Sequence, residues 1–251
     1  KHAAAAILSR GDPPVVCFKP DERGHANFLP ESWRRIRANS AWSKRLQKPH
    51  TSARHAFSSY DGAGLRELDS CNSSDALLMN VFCYPRLLRD ERVPGLLGVH
   101  ADAQPEFGFR ARVPLLRGCD ATEVDMRLGD LLVEAKLTES DFQTCSERHL
   151  ARYRDVDEVF EREDLPRIGE RHASYQLIRN VLAAHALASS FCVLLDARRP
   201  DLLEQWYAVM RCVRAHDLRV RCKVLTWQEL ARVLPVKLKT FLAEKYGISD
   251  L

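Results

Sequence analysis

The chain has none of the usual marks of a zinc-finger or disulfide-framed protein. Its eight cysteines include no Cys-x-x-Cys pair, and none falls at zinc-ribbon spacing with the nine histidines. Cys83, Cys192 and Cys222 lie within apolar patterns, so the cysteines read as buried free thiols in a reducing cytoplasm. No apolar run approaches the roughly 20 residues of a membrane span, and no membrane residence is expected. The apolar stretch at 3–8 is too short for a secretory segment and lacks a clear cleavage site. There is no internal repeat, glycine-rich nucleotide loop, zinc finger or helix-turn-helix, so recognition of a particular DNA sequence is not legible. His100, His149, His172, His185 and His216 show no His-x-x-x-His pattern and are assigned to surface and core.

What remains is an ordinary globular composition: 251 residues, 45% hydrophobic and 29% charged, enough for one sizeable core with an appendage. The net charge of +4 says little, but its distribution says more. Between Glu31 and His55 the cations Arg34, Arg35, Arg37, Lys44, Arg45, Lys48 and Arg54 face one acidic residue, with Trp33 and Trp42 interleaved. Such a segment can track a phosphate backbone. It can equally be a solvated basic surface anchored by its tryptophans, and both readings stand. Residues 1–70 are rich in proline and irregular in pattern, and are expected to pack on the core as an extension. The main globular domain is expected over 71–251.

The most informative stretch is LLVEAKLTE, residues 131–139, with Asp125 before it. Gly129-Asp130 suits a two-residue reverse turn that starts with glycine. Folding there sets Leu128 against Leu131, Met126 against Val133 and Val124 against Ala135, a continuous apolar face. On the other face Asp125 falls opposite Glu134 and Glu123 opposite Lys136, with cross-strand Cβ atoms about 4.5–5.5 Å apart. Two opposed carboxylates destabilise a sheet, and a hard divalent cation such as Mg²⁺ turns that cost into binding. The competing reading is the solvated face of a strand, with Glu123 and Lys136 as a surface ion pair.

Around the hairpin the pattern predicts a helix after Ser73-Ser74 ending before Pro85, and a short helix to Leu97. Strands are predicted over 107–113, 191–196 and 219–225, helices over 174–188 and 201–215, and terminal helical structure over 226–246, capped early by Thr226. Residues 140–171 read as irregular and charged. The order gives an α/β fold, a central mixed sheet with an antiparallel hairpin flanked by helices.

That order, with Asp125 and Glu134-Ala135-Lys136 on the hairpin, resembles the PD-(D/E)XK nuclease superfamily, the restriction-endonuclease-like fold. SSDALLMNVFCYP, TEVDMRLGDLLVEAKLTESDF and YQLIRN are similar to the PGN-0703-like group of restriction endonucleases, extending the resemblance over about 42–201. The superfamily's proline-aspartate reads Val124-Asp125 here, and the group usually has Gln where this chain has Asp75. The resemblance implies a Mg²⁺-dependent deoxyribonuclease, with Mn²⁺ able to substitute. It implies that Asp125, Glu134 and the main-chain carbonyl of Ala135 hold the metal and that Lys136 positions the attacking water. Glu106 reads either as an extra acidic ligand or as a strand-end charge. Gln176 reads either as a helix glutamine aimed at the site or as a polar residue at a helix start. The expected partner is DNA. Folds of this kind often dimerise for double-strand cuts, so a homodimer is an expectation, although no surface stripe marks its contact; no other protein partner can be inferred. The alternative is a nucleic-acid-binding module that keeps the fold without cleaving.

Overall fold

A computed structural model describes residues 6–8, 15–22, 24–49, 51–52, 55–56 and 64–249. These fall into two compact units, one drawn from residues 1–105 with 231–251 and the other from residues 106–230. Among the described residues no helix is long and apolar enough to cross a membrane. All eight cysteines are free, and five of them are buried.

In the first unit, helices α1 (Pro30–Ala38) and α2 (Ser40–Arg45) occupy sequence expected to be irregular. Pro30 is the reason that α1 starts where it does: its fixed φ and missing N–H suit the first helical turn. Asn39 ends α1 and caps α2, accepting the amides of Ala41 at 3.0 Å and Trp42 at 3.2 Å. Helix α3 (Ser74–Phe82) is capped by Ser73, as expected, through the Ala76 amide at 3.1 Å. Helix α4 (Arg92–Leu97) stops at Gly98, whose φ of +65° gives the left-handed turn that ends helices.

The second unit carries a five-stranded mixed sheet. Its strands are β1 (Pro105–Arg110), β2 (Glu123–Leu128), β3 (Leu131–Ala135), β4 (Ser190–Leu195) and β5 (Cys222–Thr226), and they lie in the order β1-β2-β3-β4-β5. The β2–β3 hairpin has the expected register, Leu128 with Leu131 and Met126 with Val133. Gly129 turns it at φ +63°, a conformation that suits glycine. Strands β3 and β4 run parallel from Leu131–Ser190 to Ala135–Leu194, and β4 and β5 run parallel from Phe191–Cys222 to Leu195–Thr226. Parallel neighbours need crossovers. The first includes helix α5 (Tyr175–Ala186), and the second includes α6 (Pro200–Met210) and α7 (His216–Arg221). Leu132, Leu177, Ile178, Val181, Phe191 and Trp206 join one buried core, each such side chain contributing about 1.5–3 kcal/mol by burial.

Further local readings differ from the structure. First, the competing reading of a solvated face fails on β3. All five residues of β3 are buried, because it is the central strand of five rather than half of an exposed ribbon. Second, residues 219–221 are helical, and β5 starts only at Cys222. Arg221 reaches back one turn to the Asp217 carboxylate at 3.3 Å and its carbonyl at 3.3 Å, a local pairing that favours helix. Third, residues 140–171 are not irregular throughout. Thr144–Ser146, Arg167–Ile168 and Arg171–Ala173 form a small antiparallel sheet. The Glu147 carboxylate gathers His172 at 2.7 Å together with Arg162 and Arg167. The hydrogen bond from His172, followed by those from the two arginines, lowers its pKa to about 2.

Helix α8 (Trp227–Val233) begins with the reciprocal cap that its sequence suggests. The Glu229 amide donates to Thr226 Oγ1 at 3.1 Å, while Glu229 Oε2 accepts the Thr226 amide at 2.7 Å. Thr226→Ala is expected to cost about 1 kcal/mol, read as a lowered thermal midpoint. An unchanged midpoint would mean that α8 is held by packing alone.

Candidate active site

Asp125 stands one residue beyond Met126–Val133, the outermost pair of the β2–β3 ladder. Its Oδ2 accepts the Ala135 amide at 2.8 Å, a donor that a continued antiparallel ladder would direct at a main-chain carbonyl. A carboxylate is thus tied to the strand carrying Glu134. Glu134 is only 3% exposed and Lys136 5% exposed, so neither belongs to a solvated face. Lys136 Nζ lies 3.0 Å from Glu134 Oε1 and donates to Gln176 Oε1 at 2.8 Å. Glu134 Oε2 accepts from Asn180 Nδ2 at 2.9 Å. Gln176 and Asn180 are four residues apart on α5 and share one face, so a single helix supports both charges.

The main chain of Lys136 is fixed at both ends. Its amide donates to the Leu194 carbonyl at 2.8 Å, and its carbonyl accepts Trp227 Nε1 at 2.9 Å. Helix α5 is placed by the segment that follows Lys136, since the amides of Tyr175 and Gln176 donate to the carbonyls of Gln143 (3.0 Å) and Phe142 (2.9 Å). Buried Arg179 donates to the carbonyls of Thr122 at 3.0 Å and Glu123 at 2.8 Å, tying α5 to the start of the strand that bears Asp125.

Burial by itself would lower the pKa of Lys136, but the carboxylates of Glu134, Asp125 and Glu139 outweigh it and hold the group above the ordinary lysine value. Lys136 is therefore an ammonium with three donors, one directed at Glu134 and one at Gln176. Glu139 accepts the amides of Leu137 at 2.7 Å and Thr138 at 3.0 Å and so shapes the turn after Lys136.

The structure brings Asp125, Glu134, Lys136 and Gln176 together. Glu106 lies exposed at the start of β1, and among the described residues no three His, Cys, Asp or Glu side chains converge to hold a metal ion. Glu123 pairs with Arg110 at 3.9 Å, while Lys136 takes Glu134. Asn180 is the residue that sequence reasoning passed over. Its signal was the spacing of four from Gln176 within YQLIRN, and nothing local distinguishes it from an ordinary helix-face asparagine.

The basic segment divides by burial. Arg45 is 8% exposed and its Nη2 donates to buried Asp75 at 2.8 Å, and Lys48 joins the same carboxylate at 3.1 Å and Glu67 at 2.8 Å. Arg35 donates to the Tyr84 carbonyl at 3.1 Å and stacks on Trp42. Arg34, Arg37 and Lys44 are exposed, Arg37 lying over Trp33. Arg54 lies outside the described residues.

A mixed sheet whose central hairpin sets an aspartate beside a Glu-x-Lys strand is the arrangement of a restriction-endonuclease-like core. The family described as restriction endonuclease associating with ARP matches residues 10–247, and the chain belongs to that family. The match reaches well beyond the 42–201 stretch that carries the sequence resemblance. No curated protein and no solved structure matches the chain.

Proposed function

We propose that the chain is a Mg²⁺-dependent nuclease that hydrolyses phosphodiester bonds in DNA at Asp125, Glu134 and Lys136. The observation that carries this reading is the buried Lys136–Glu134 pair at 3.0 Å, held on α5 by Gln176 and Asn180, next to the strand of Asp125. Burying two charges costs several kcal/mol per ion before pairing. A fold needing only stability at this place would use apolar side chains.

The donor set fits a hard divalent cation, because it offers carboxylate oxygens from two adjacent strands with the Ala135 carbonyl on one of them. Asn180 Oδ1, buried beside Glu134 with no hydrogen-bond partner, is a further oxygen left for a polar occupant. When bound, Mg²⁺ or Mn²⁺ supplies positive charge against the phosphate oxygens and lowers the pKa of water. Of the chain's own groups, Lys136 retains one ammonium hydrogen for the attacking water or a non-bridging oxygen. Gln176 and Asn180 keep Lys136 and Glu134 from rotating away, and Asp125 and Gln176, both partly exposed, form the open side. We also carry over the family's association with ARP as a partner to include in assays.

The test is cleavage of single-stranded, duplex, branched and modified DNA, with RNA beside them, in Mg²⁺, Mn²⁺ or EDTA. The wild type is expected to cleave DNA only with metal, and Glu134→Gln to lose about 10³-fold. Metal-independent cleavage, or full activity in Glu134→Gln, would sink the proposal. Salt-sensitive DNA binding without cleavage of any substrate would favour the non-catalytic module instead.

A further inference from the structure

The first unit contains a cavity of about 360 Å³ on which Arg35, Arg86 and Arg89 converge, with Trp42, Tyr84 and Gln104 in its walls. That volume suits a small-molecule ligand. Among the described residues that line it there is no carboxylate, although 34 acidic residues are spread through the chain. Other cations of this unit are neutralised: Arg92 pairs with Asp90, and Arg45 and Lys48 with Asp75. Arg86 and Arg89 have no side-chain ion pair or hydrogen bond among the described residues.

Both side chains are exposed, and the backbone sets where each leaves the chain. Arg86 adopts φ +59°, a left-handed conformation rare for a residue with a side chain, and opens the short 3₁₀ turn Leu87–Arg89. The Arg89 amide donates to the Arg86 carbonyl at 3.0 Å, closing a turn whose two ends both line the cavity. Strain of this kind gathers at ligand sites. Arg35 is fixed separately, by its bond to the Tyr84 carbonyl and its stacking 5.4 Å from the Trp42 ring centroid. Its guanidinium plane and half-buried Tyr84 are surfaces on which a base can stack. Gln104 offers its carboxamide oxygen, since its Nε2 already donates to the Asp102 carbonyl at 3.3 Å.

We propose that this cavity binds a nucleoside 5′-monophosphate, free or at the end of a strand, with Arg86 and Arg89 on the phosphate and the base against Arg35 and Tyr84. A guanidinium matches the planar, bidentate demand of a phosphate, and this cavity is lined by two that carry no carboxylate partner among the described residues. The proposal stands apart from the cleavage site, since none of its residues serves there.

The experiment is calorimetric titration in EDTA, so that no metal recruits nucleotide elsewhere, with AMP, GMP, CMP and TMP as probes and adenosine and inorganic phosphate as controls. At least one monophosphate is expected to bind well above both controls, and Arg86→Gly and Arg89→Ala should each weaken it by about tenfold or more. Arg86→Gly suits the left-handed φ, so an unchanged melt would assign its loss to the guanidinium. Absence of binding, affinity unchanged in both variants, or inorganic phosphate binding as tightly as the nucleotides would each overturn the proposal. A 5′-phosphorylated oligonucleotide compared with its 5′-hydroxyl form separates the two sources. Preference for the phosphorylated strand assigns a strand end, and parity between the strands with mononucleotide binding intact assigns a free nucleotide; either result supports the site.

Discussion

Lys136→Met is expected to abolish most DNA cleavage, by about 10³-fold, and also to destabilise the fold. The two losses have different causes. Glu134 is 3% exposed and has Lys136 at 3.0 Å, so removing the ammonium leaves a buried carboxylate whose remaining side-chain donor among the described residues is Asn180 Nδ2. Breaking a buried pair from one side typically costs about 3–5 kcal/mol. Adding Glu134→Gln removes the stranded charge, so the double variant should regain most of the stability of the single one. It should regain none of the activity, because both the ammonium and the carboxylate are gone. Urea midpoints and initial cleavage rates of the wild type, Lys136→Met and the double variant separate these effects. A double variant that cleaves, or Lys136→Met cleaving at the wild-type rate, would remove Lys136 from the reaction.

The second large effect is expected at Asp75. It is 2% exposed on α3 and neutralises both Arg45 at 2.8 Å and Lys48 at 3.1 Å. Asp75→Ala strands Arg45, itself 8% exposed, and should cost about 3–5 kcal/mol. Burial alone would raise the pKa of Asp75, but Lys48 and Arg45 overcome it and hold the carboxyl below the ordinary aspartate value. A group whose pKa is depressed by folding contributes stability above its unfolded value, about 3.9, and loses it as pH falls through the lower folded value. The wild type should therefore shed this contribution only in acid below about pH 4, whereas Asp75→Asn should lack it at neutral pH and lose less on acidification. Chemical denaturation at neutral and acid pH reads the difference. Equal stability of wild type and variant at neutral pH would mean that Arg45 and Lys48 find solvent without Asp75.

The same cluster bears on the basic segment. A row of cations read along the chain looks like a phosphate-tracking surface, because a linear sequence shows only their near neighbours. Asp75 and Glu67, which pair with Arg45 and Lys48, lie 19 or more positions away along the chain. Arg34, Arg37 and Lys44 stay exposed, and Arg35 lines the cavity instead.

Local physics explains how much of the hairpin was legible. A glycine able to adopt φ +63° and an apolar alternation with period two set the register of Leu128 with Leu131 and Met126 with Val133. Side-chain caps did the same for the starts of α3 and α8, since Ser73 and Thr226 act within three residues. Only the tertiary structure decided that the charged face of β3 is buried, because burial depends on β4 and α5, supplied by residues 40–60 positions later. It also recruited Asn180 to Glu134, Arg179 to the carbonyls of Thr122 and Glu123, and Trp227 to the carbonyl of Lys136. Periodicity and turn chemistry act over a few residues and are written in the sequence. The partners of a buried charge are chosen by packing across the sheet.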